Sequence, residues 1–393
     1  MAYFLIILAA LSLGIWVVLA FFRGAFWQVR RFDGDSARID VTARLPLVAV
    51  VVPARNEAET IARCLESLAA QDYAGEFPIV IVDDHSEDET GVRAQTAART
   101  ARPVEVSIEQ AAPLEPGWTG KLWALQQGID QTAGFSADYF WFTDADIVHA
   151  PDTLRRLVAR AEQDRLDLAS LLVMLQVKTV PERLLIPAFL YFFLMLYPPK
   201  SIANAKSKIA GAAGGCILLR KAALERMGGI SAIRSEVIDD CALARAVKRG
   251  GGTIWMGLTR KSVSLRSYET LGEVRDLIAR TAFTQLGYSG LVLAGTVLGM
   301  LLTYLVPLVL TFAVQPVVWR LSLTAWALMT LTYLPSVRFY GLSPLWAPLL
   351  PVAALFYSYA TCLSAWRYWM KRGGQWKGRV QAVAKTSGGA QNH

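Results

Sequence analysis

The amino-acid sequence predicts an α/β domain with a largely parallel sheet, set between apolar segments long enough to cross a membrane as helices. Three observations predict it. β-rich apolar runs alternate with amphipathic helical stretches from about residue 45 to residue 266, polar clusters follow several of those runs, and the apolar residues, 54% of the 393, concentrate toward the two ends of the chain.

Residues 1–22 are uncharged, and the run from Tyr3 to Phe22 is long enough for one membrane-crossing helix. No basic stretch precedes it, no small-x-small site follows it, and it is long for a signal peptide, so a retained anchor is expected. Residues 47–52 read as the first strand, Pro53-Ala54-Arg55-Asn56-Glu57 as a turn, and 57–70 as a helix with Ile61, Cys64, Leu65 and Leu68 on one face. A second strand over 79–82 ends in Asp83-Asp84-His85-Ser86, with a helix from near Glu89. The loop Pro116-Gly117-Trp118-Thr119-Gly120-Lys121 precedes a helix beginning near Leu122, and a strongly apolar strand from Tyr139 ends in Asp144-Ala145-Asp146. Residues 184–199 are apolar but hold three prolines and are short for a span, which suggests an interfacial helix. Ala213-Gly214-Gly215-Cys216 leads into a strand over 217–219, and Asp239-Asp240 precedes an amphipathic helix over 241–249.

Beyond residue 280, only Arg320 and Arg338 interrupt an uncharged tract that reaches Trp366, and its prolines divide it into spans near 290–313, 317–337 and 344–366. The expected organisation is therefore an anchor over 1–22, a catalytic domain over 23–288, about three C-terminal helices over 289–370 and a polar tail over 371–393, disordered after Arg379. Arg23, Arg30 and Arg31 beside the first span set the middle domain in the cytoplasm. Four spans then leave the C-terminus outside, against the pull of Lys371, Arg372, Lys377 and Arg379. Either a late segment is re-entrant or the early arginines dominate.

The net charge of +8 suits an anionic membrane surface or anionic substrates, and nucleic acid is not an expected partner. Cys64, Cys216, Cys241 and Cys362 lack paired spacing and there are three histidines, which excludes a disulfide framework and a zinc site and leaves buried, inert thiols.

Alternation along a strand would turn Asp144 and Asp146 the same way, so that their repulsion calls for a cation. Oxygen ligands that leave positions open for phosphate suit Mg²⁺ or Mn²⁺. Ligands of open sheets collect at the carboxyl ends of strands. The first such turn lacks G-x-G-x-x-G and offers Arg55 and Glu57 instead, while Asp83 or Asp84 can accept a uracil imide N–H against a wall of Pro53 and Ala54. Each cluster alone also reads as a helix cap. Gly117 and Gly120 let backbone approach a phosphate, and Lys121 adds a point charge. Helix capping explains one of Asp239 and Asp240; the other is free to accept the proton of an attacking hydroxyl.

Taken in order, Pro53 to Glu57, Val82-Asp83-Asp84-x-Ser86, Gly120-Lys121, Asp144-Ala145-Asp146, Gly214-Gly215, and Asp239-Asp240 with Leu243 and Arg245 resemble the family 2 glycosyltransferases of the GT-A fold. The resemblance covers roughly residues 45–270. Gly117-Trp118-Thr119-Gly120-Lys121-x-Trp123-Ala124, with one anchor before and several spans after, is most similar to the hopene-associated enzymes of bacterial hopanoid pathways. The resemblance implies a Rossmann-like mixed sheet in the bacterial inner membrane. It implies further that Glu57 and Asp83 or Asp84 bind the nucleotide base, Lys121 the donor, Asp144 and Asp146 the ribose, metal and diphosphate, and that Asp240 is the base. The processive members carry Gln-x-x-Arg-Trp, whereas this chain has Leu277-Ile278-Ala279-Arg280-Thr281, which disfavours a polymer-extruding synthase and leaves Arg280 to face the diphosphate. Asp239 stands where a Glu is usual, so either acid can be the base. The expected activity is inverting transfer of a single sugar from a UDP-sugar to a membrane lipid hydroxyl, with a short polysaccharide synthase or a silent scaffold as alternatives.

Overall fold

The computed structural model describes residues 2–34, 44–101, 104–371, 375–376 and 379–380. Its centre is a mixed eight-stranded sheet built from β1 (Val48–Ala54), β2 (Ile79–Asp83), β3 (Val106–Gln110), β4 (Tyr139–Phe142), β5 (Ile147–His149), β6 (Leu168–Met174), β7 (Ile217–Arg220) and β8 (Ile254–Ser264), in the order β3-β2-β1-β4-β7-β6-β8-β5. β1 pairs in parallel with β2 and β4, whereas β7 runs antiparallel to both β4 and β6. This is the expected mixed α/β sheet.

β1 has no polar side chain and every residue of it is buried. A strand covered on both faces loses the polar alternation of a half-exposed one. Its period of two still sorts it: Val48, Val50 and Val52 join Ile61, Leu65 and Leu68 of the helix Ile61–Ala69, while Ala49 and Val51 join Leu122 and Leu125 of the helix Gly120–Gln131. The first helix is shorter than expected because Asn56 and Glu57 donate their backbone N–H groups to Ser86 and Thr90, and the chain turns through Thr60 before the helix starts.

Five helical segments are long and apolar enough to cross a membrane by length and composition: Ala2–Phe22, Val180–Ala203, Gly290–Leu310, Pro316–Phe339 and Pro344–Trp369. The second is one more than the sequence suggested. Thr179 and Glu182 form a capping box that starts the helix Val180–Leu196 before the apolar run, and Pro187 is carried within it. Tyr191 shares a 3.0 Å hydrogen bond with Thr332, and the Tyr357 hydroxyl donates to the Leu185 carbonyl, also at 3.0 Å. These bonds fix that helix against the last two. Cys64, Cys216 and Cys241 are buried as expected, but Cys362 is exposed, because it lies on the outer side of the final helix. Apart from Val380, the tail beyond Arg379 lies outside the described residues.

Candidate active site

The carboxyl ends of β1 and β4, the start of the helix Gly120–Gln131 and the segment after β8 enclose a polar cavity of about 160 Å³. Pro53, Arg55, Glu57, Lys121, Asp144, Asp146, Asp239 and Arg280 line it, so eight residues singled out in the sequence meet there. The strand argument for the acidic pair fails in detail. β4 ends at Phe142, and Asp144 and Asp146 sit in the turn before β5 rather than on one face of a strand. Each carboxylate consequently has its own partners. Lys121 reaches Asp144 Oδ1 at 2.8 Å and Asp239 Oδ2 at 3.1 Å, whereas Asp146 Oδ2 accepts from the Ser264 hydroxyl at 2.9 Å and faces Arg266 Nε at 3.7 Å.

Burial opposes ionisation of Asp144, but Lys121 outweighs it and holds the carboxyl below the usual range. Asp146 goes the other way, raised by burial and by the charge of Asp144. The two carboxyls therefore repel as the sequence suggested. Among the described residues, no group of three His, Cys, Asp or Glu side chains is arranged to hold a metal ion. That does not disqualify the site, because Mg²⁺ characteristically takes one or two carboxylates and fills its remaining positions with phosphate and water oxygens.

Four expected donor residues do not line the polar cavity. Ala54 is the last residue of β1, and its carbonyl accepts from Asp84 N at 2.8 Å. Asp83 Oδ1 accepts from Ser86 N at 3.0 Å, closing its own turn, and Asp84 is fully buried. Gly120 opens a helix whose next residue, Lys121, supplies the contact. Arg55, although on the wall, donates to the carbonyls of Asp84 and His85 and pairs with Glu87 at 3.2 Å. These side chains shape the β1 and β2 loops that support the cavity.

Arg266, Tyr268 and Glu236 line the cavity and were not singled out in the sequence. Arg266 bonds Glu57 Oε1 at 2.9 Å and spans the gap to Asp146, which leaves the guanidinium as the counter-charge to both acids. A lone arginine after a strand has no distinctive spacing. Its only sequence signal is its position just past the carboxyl end of β8.

Asp239 and Asp240 open the helix Asp239–Arg249. Asp240 forms no salt bridge with Lys121 among the described residues and accepts backbone N–H groups from Gly214 at 2.9 Å and Cys241 at 2.7 Å. A Cβ on Gly214 would stand 3.2 Å from Lys121 Nζ and 3.5 Å from Asp240 Oδ2, which accounts for glycine there. Burial first, then the neighbouring Asp239 charge, push the Asp240 carboxyl up to about 6 against the pull of Lys121. Asp240 and Arg280 also line a second, mostly apolar cavity of about 350 Å³, walled by Phe189, Phe192 and Ile278.

Residues 49–228 match the family described as Glycosyl transferase family 2. An N-acetylglucosaminyltransferase of Rhizobium leguminosarum bv. phaseoli is 35% identical over 117 residues, which are 30% of this chain and 26% of that protein. An undecaprenyl-phosphate 4-deoxy-4-formamido-L-arabinose transferase of Pseudomonas fluorescens is 34% identical over 121 residues, 30% of this chain and 33% of that protein. The chain thus spans only about a third or less of the length of such relatives. Among solved structures, the mannosyltransferase PcManGT of Pyrobaculum calidifontis, in complex with GDP-Man and Mn²⁺, superposes with a TM-score of 0.55 at 18% identity, over 89% of this chain and 97% of that one. A divalent cation is typical of this fold.

One expectation is corrected. The sequence set a multi-pass protein in the bacterial inner membrane with its catalytic domain facing the cytoplasm, and that location does not stand, because five segments able to cross by length and composition do not by themselves fix a membrane, its identity or its sidedness. The physical reason is that length and apolarity measure only whether a helix is able to cross, and in Val180–Ala203 half of the residues of its most apolar stretch are buried inside the protein itself. The sequence match and the superposition agree: residues 49–228 match the family 2 glycosyltransferases, and the mixed sheet that contains them has the GT-A-like fold.

Proposed function

We propose that the chain is an inverting glycosyltransferase that moves a single sugar from a UDP-sugar to the hydroxyl of a lipid, a hopanoid or similar compound. The observation that carries this reading is Asp240, a half-buried carboxyl whose pKa is held up at about 6 and which borders an apolar cavity and adjoins Lys121 of the polar one. A nucleotide sugar is strongly anionic and suits Lys121, Arg266 and Arg280. An apolar wall suits the body of a lipid. The acids Asp239 and Asp240 at the mouth of the apolar cavity repel a lipid phosphate and accept a neutral hydroxyl.

In this reading Asp240 takes the hydroxyl proton, the oxygen attacks the anomeric carbon, and the bond from that carbon to the diphosphate breaks with inversion. Lys121 and Arg280 stabilise the negative charge that develops on the departing diphosphate. Asp146, with Asp144, would hold a divalent cation, whose contribution is to neutralise diphosphate charge. Asp239 keeps Lys121 oriented rather than taking the proton. Pro53 and Glu57 face the nucleoside, and Ala54, Arg55, Asp83, Asp84 and Gly120 hold the loops around it.

The test offers purified protein radiolabelled UDP-sugars with a hopanoid alcohol, an undecaprenyl phosphate and no lipid. Label in a single-sugar hopanoid glycoside is the expected result. Label in the lipid phosphate alone, or in a polymer, would replace the proposed acceptor.

A further inference from the structure

A further cavity, of about 520 Å³, shares no residue with the donor or apolar cavities and has no assigned role. Arg30, Arg31, Arg160 and Lys200 line it together with Phe32 and Trp255, and no acidic side chain does among the described residues. Three distant segments build it. After the helix Ala2–Val17 and its π-helical continuation Val18–Phe22, the chain reverses through Gly24 at φ +65° and Ala25 at φ +50°. A Cβ on Gly24 would lie 3.2 Å from both Pro198 Cβ and Ser201 Oγ, so the glycine permits the close approach that brings Arg30 and Arg31 beside Lys200. The arginine pair is then fastened to the sheet: Arg31 forms a parallel bridge with Leu258, and Asp33 accepts from Thr259 Oγ1 at 2.6 Å and Arg260 N at 3.0 Å.

The aromatic wall is equally fixed. Trp255 packs on Phe32 with ring centroids 5.3 Å apart, and Arg160 stacks on Trp255 at 5.0 Å while pairing with Asp164 at 2.8 Å. A Cβ on Gly257 would fall 2.3 Å from the Trp255 ring, so only glycine lets the indole lie across the strand and face the cavity. Arg160 is thus neutralised by its partner, whereas no ion pair engages Arg30, Arg31 or Lys200 among the described residues. Three cations that line one cavity, with no counter-charge among the described residues, favour an anion there.

We propose that this cavity is a separate binding site for a phosphate-bearing ligand. Two guanidiniums and an ammonium match the multiple acceptor oxygens of a phosphate, and the Trp255 and Phe32 rings cover an attached apolar group. The phosphate comes either on a lipid headgroup or free in solution.

Calorimetry on the full-length protein distinguishes these, with inorganic phosphate, dihexanoyl-phosphatidylglycerol and, as the zwitterionic control, dihexanoyl-phosphatidylcholine. The phosphatidylglycerol should bind more tightly than the control and lose affinity as salt rises. The double variant Arg30→Gln/Arg31→Gln should weaken it at least about tenfold, since two charge-assisted hydrogen-bonding groups are removed. Lys200→Gln should weaken it less. UDP binding at the donor cavity should be unchanged in both variants, which shows that they are folded and separates this site from the catalytic one. Equal binding of inorganic phosphate would assign the site to free phosphate, and phosphatidylglycerol binding alone to a headgroup. No preference over the zwitterionic control by either anion, or undiminished binding in the double variant, would overturn the proposal.

Discussion

The polar cavity at the ends of β1 and β4 and the apolar cavity beside the helix Val180–Leu196 meet at Asp239 and Arg280, next to Asp240, yet they are built by opposite rules. On the polar side, charges are paired across the cavity: Lys121 holds Asp144 and Asp239, and Arg266 serves Glu57 and Asp146. On the apolar side, Phe189, Phe192, Ile278 and Met300 contribute shape alone. The difference teaches where specificity resides. A buried charge without a partner is severely penalised, so the polar half tolerates few residue types, whereas an apolar wall accepts most volume-conserving exchanges.

The sharpest way to break the comparison is at the residue both cavities approach. Asp240→Asn should lower sugar transfer by about 10²–10⁴-fold while leaving UDP affinity intact, as expected for a general base. The same carboxyl sets a pH dependence. It must be ionised to take a proton, and its pKa is held up at about 6, so transfer should fall as pH drops through about 6 while UDP binding stays flat over that window. A profile without this acid limb would remove Asp240 from the proton-transfer step.

A smaller but still large effect is expected within the polar half. Asp146→Asn, or excess chelator, should reduce transfer by about 10²-fold or more, because the charge on the diphosphate would be less well neutralised. Chelation should reverse on adding Mg²⁺ or Mn²⁺. Full transfer in chelator would show that Lys121, Arg266 and Arg280 suffice.

The apolar half should respond differently. Thr296 borders that cavity, and Thr296→Trp should raise the KM for the lipid about tenfold through overpacking, with kcat and UDP affinity little changed. A change in UDP affinity instead would mean that the two cavities do not divide donor from acceptor. The mildest effect belongs to Asp239→Asn. Its bond to Lys121 is partly solvated, and Asp144 still holds the ammonium, so a loss of about 1 kcal/mol, or roughly fivefold in transfer, is expected. A dead, folded Asp239→Asn beside an active Asp240→Asn would exchange their roles.

The contrast also explains what was legible in the chain. Pro53, Glu57, Lys121, Asp144, Asp146, Asp239 and Asp240 were readable because carboxylates and a lysine at strand ends and helix starts have few structural uses besides capping. Arg266 was not, since its value lies in bridging two acids that are distant in sequence. The strand reading of Asp144 and Asp146 misled because apolarity sets where β4 is buried, not where its last hydrogen bond falls. The helix Val180–Leu196 was read short because Thr179 and Glu182 start it in a polar stretch.

By itself the sequence determined the local choices: the buried strands through β-rich apolar runs, the long helices through uncharged tracts, and the residue types that nucleotide-sugar chemistry requires. Tertiary structure alone decided the partners. Whether Asp240 bonds Lys121 or Gly214, whether an apolar helix turns toward a neighbour or outward, and whether Arg30 and Lys200 share one cavity depend on contacts between residues tens to hundreds of positions apart. Such contacts are set by the geometry of packing, and neither composition nor spacing encodes them.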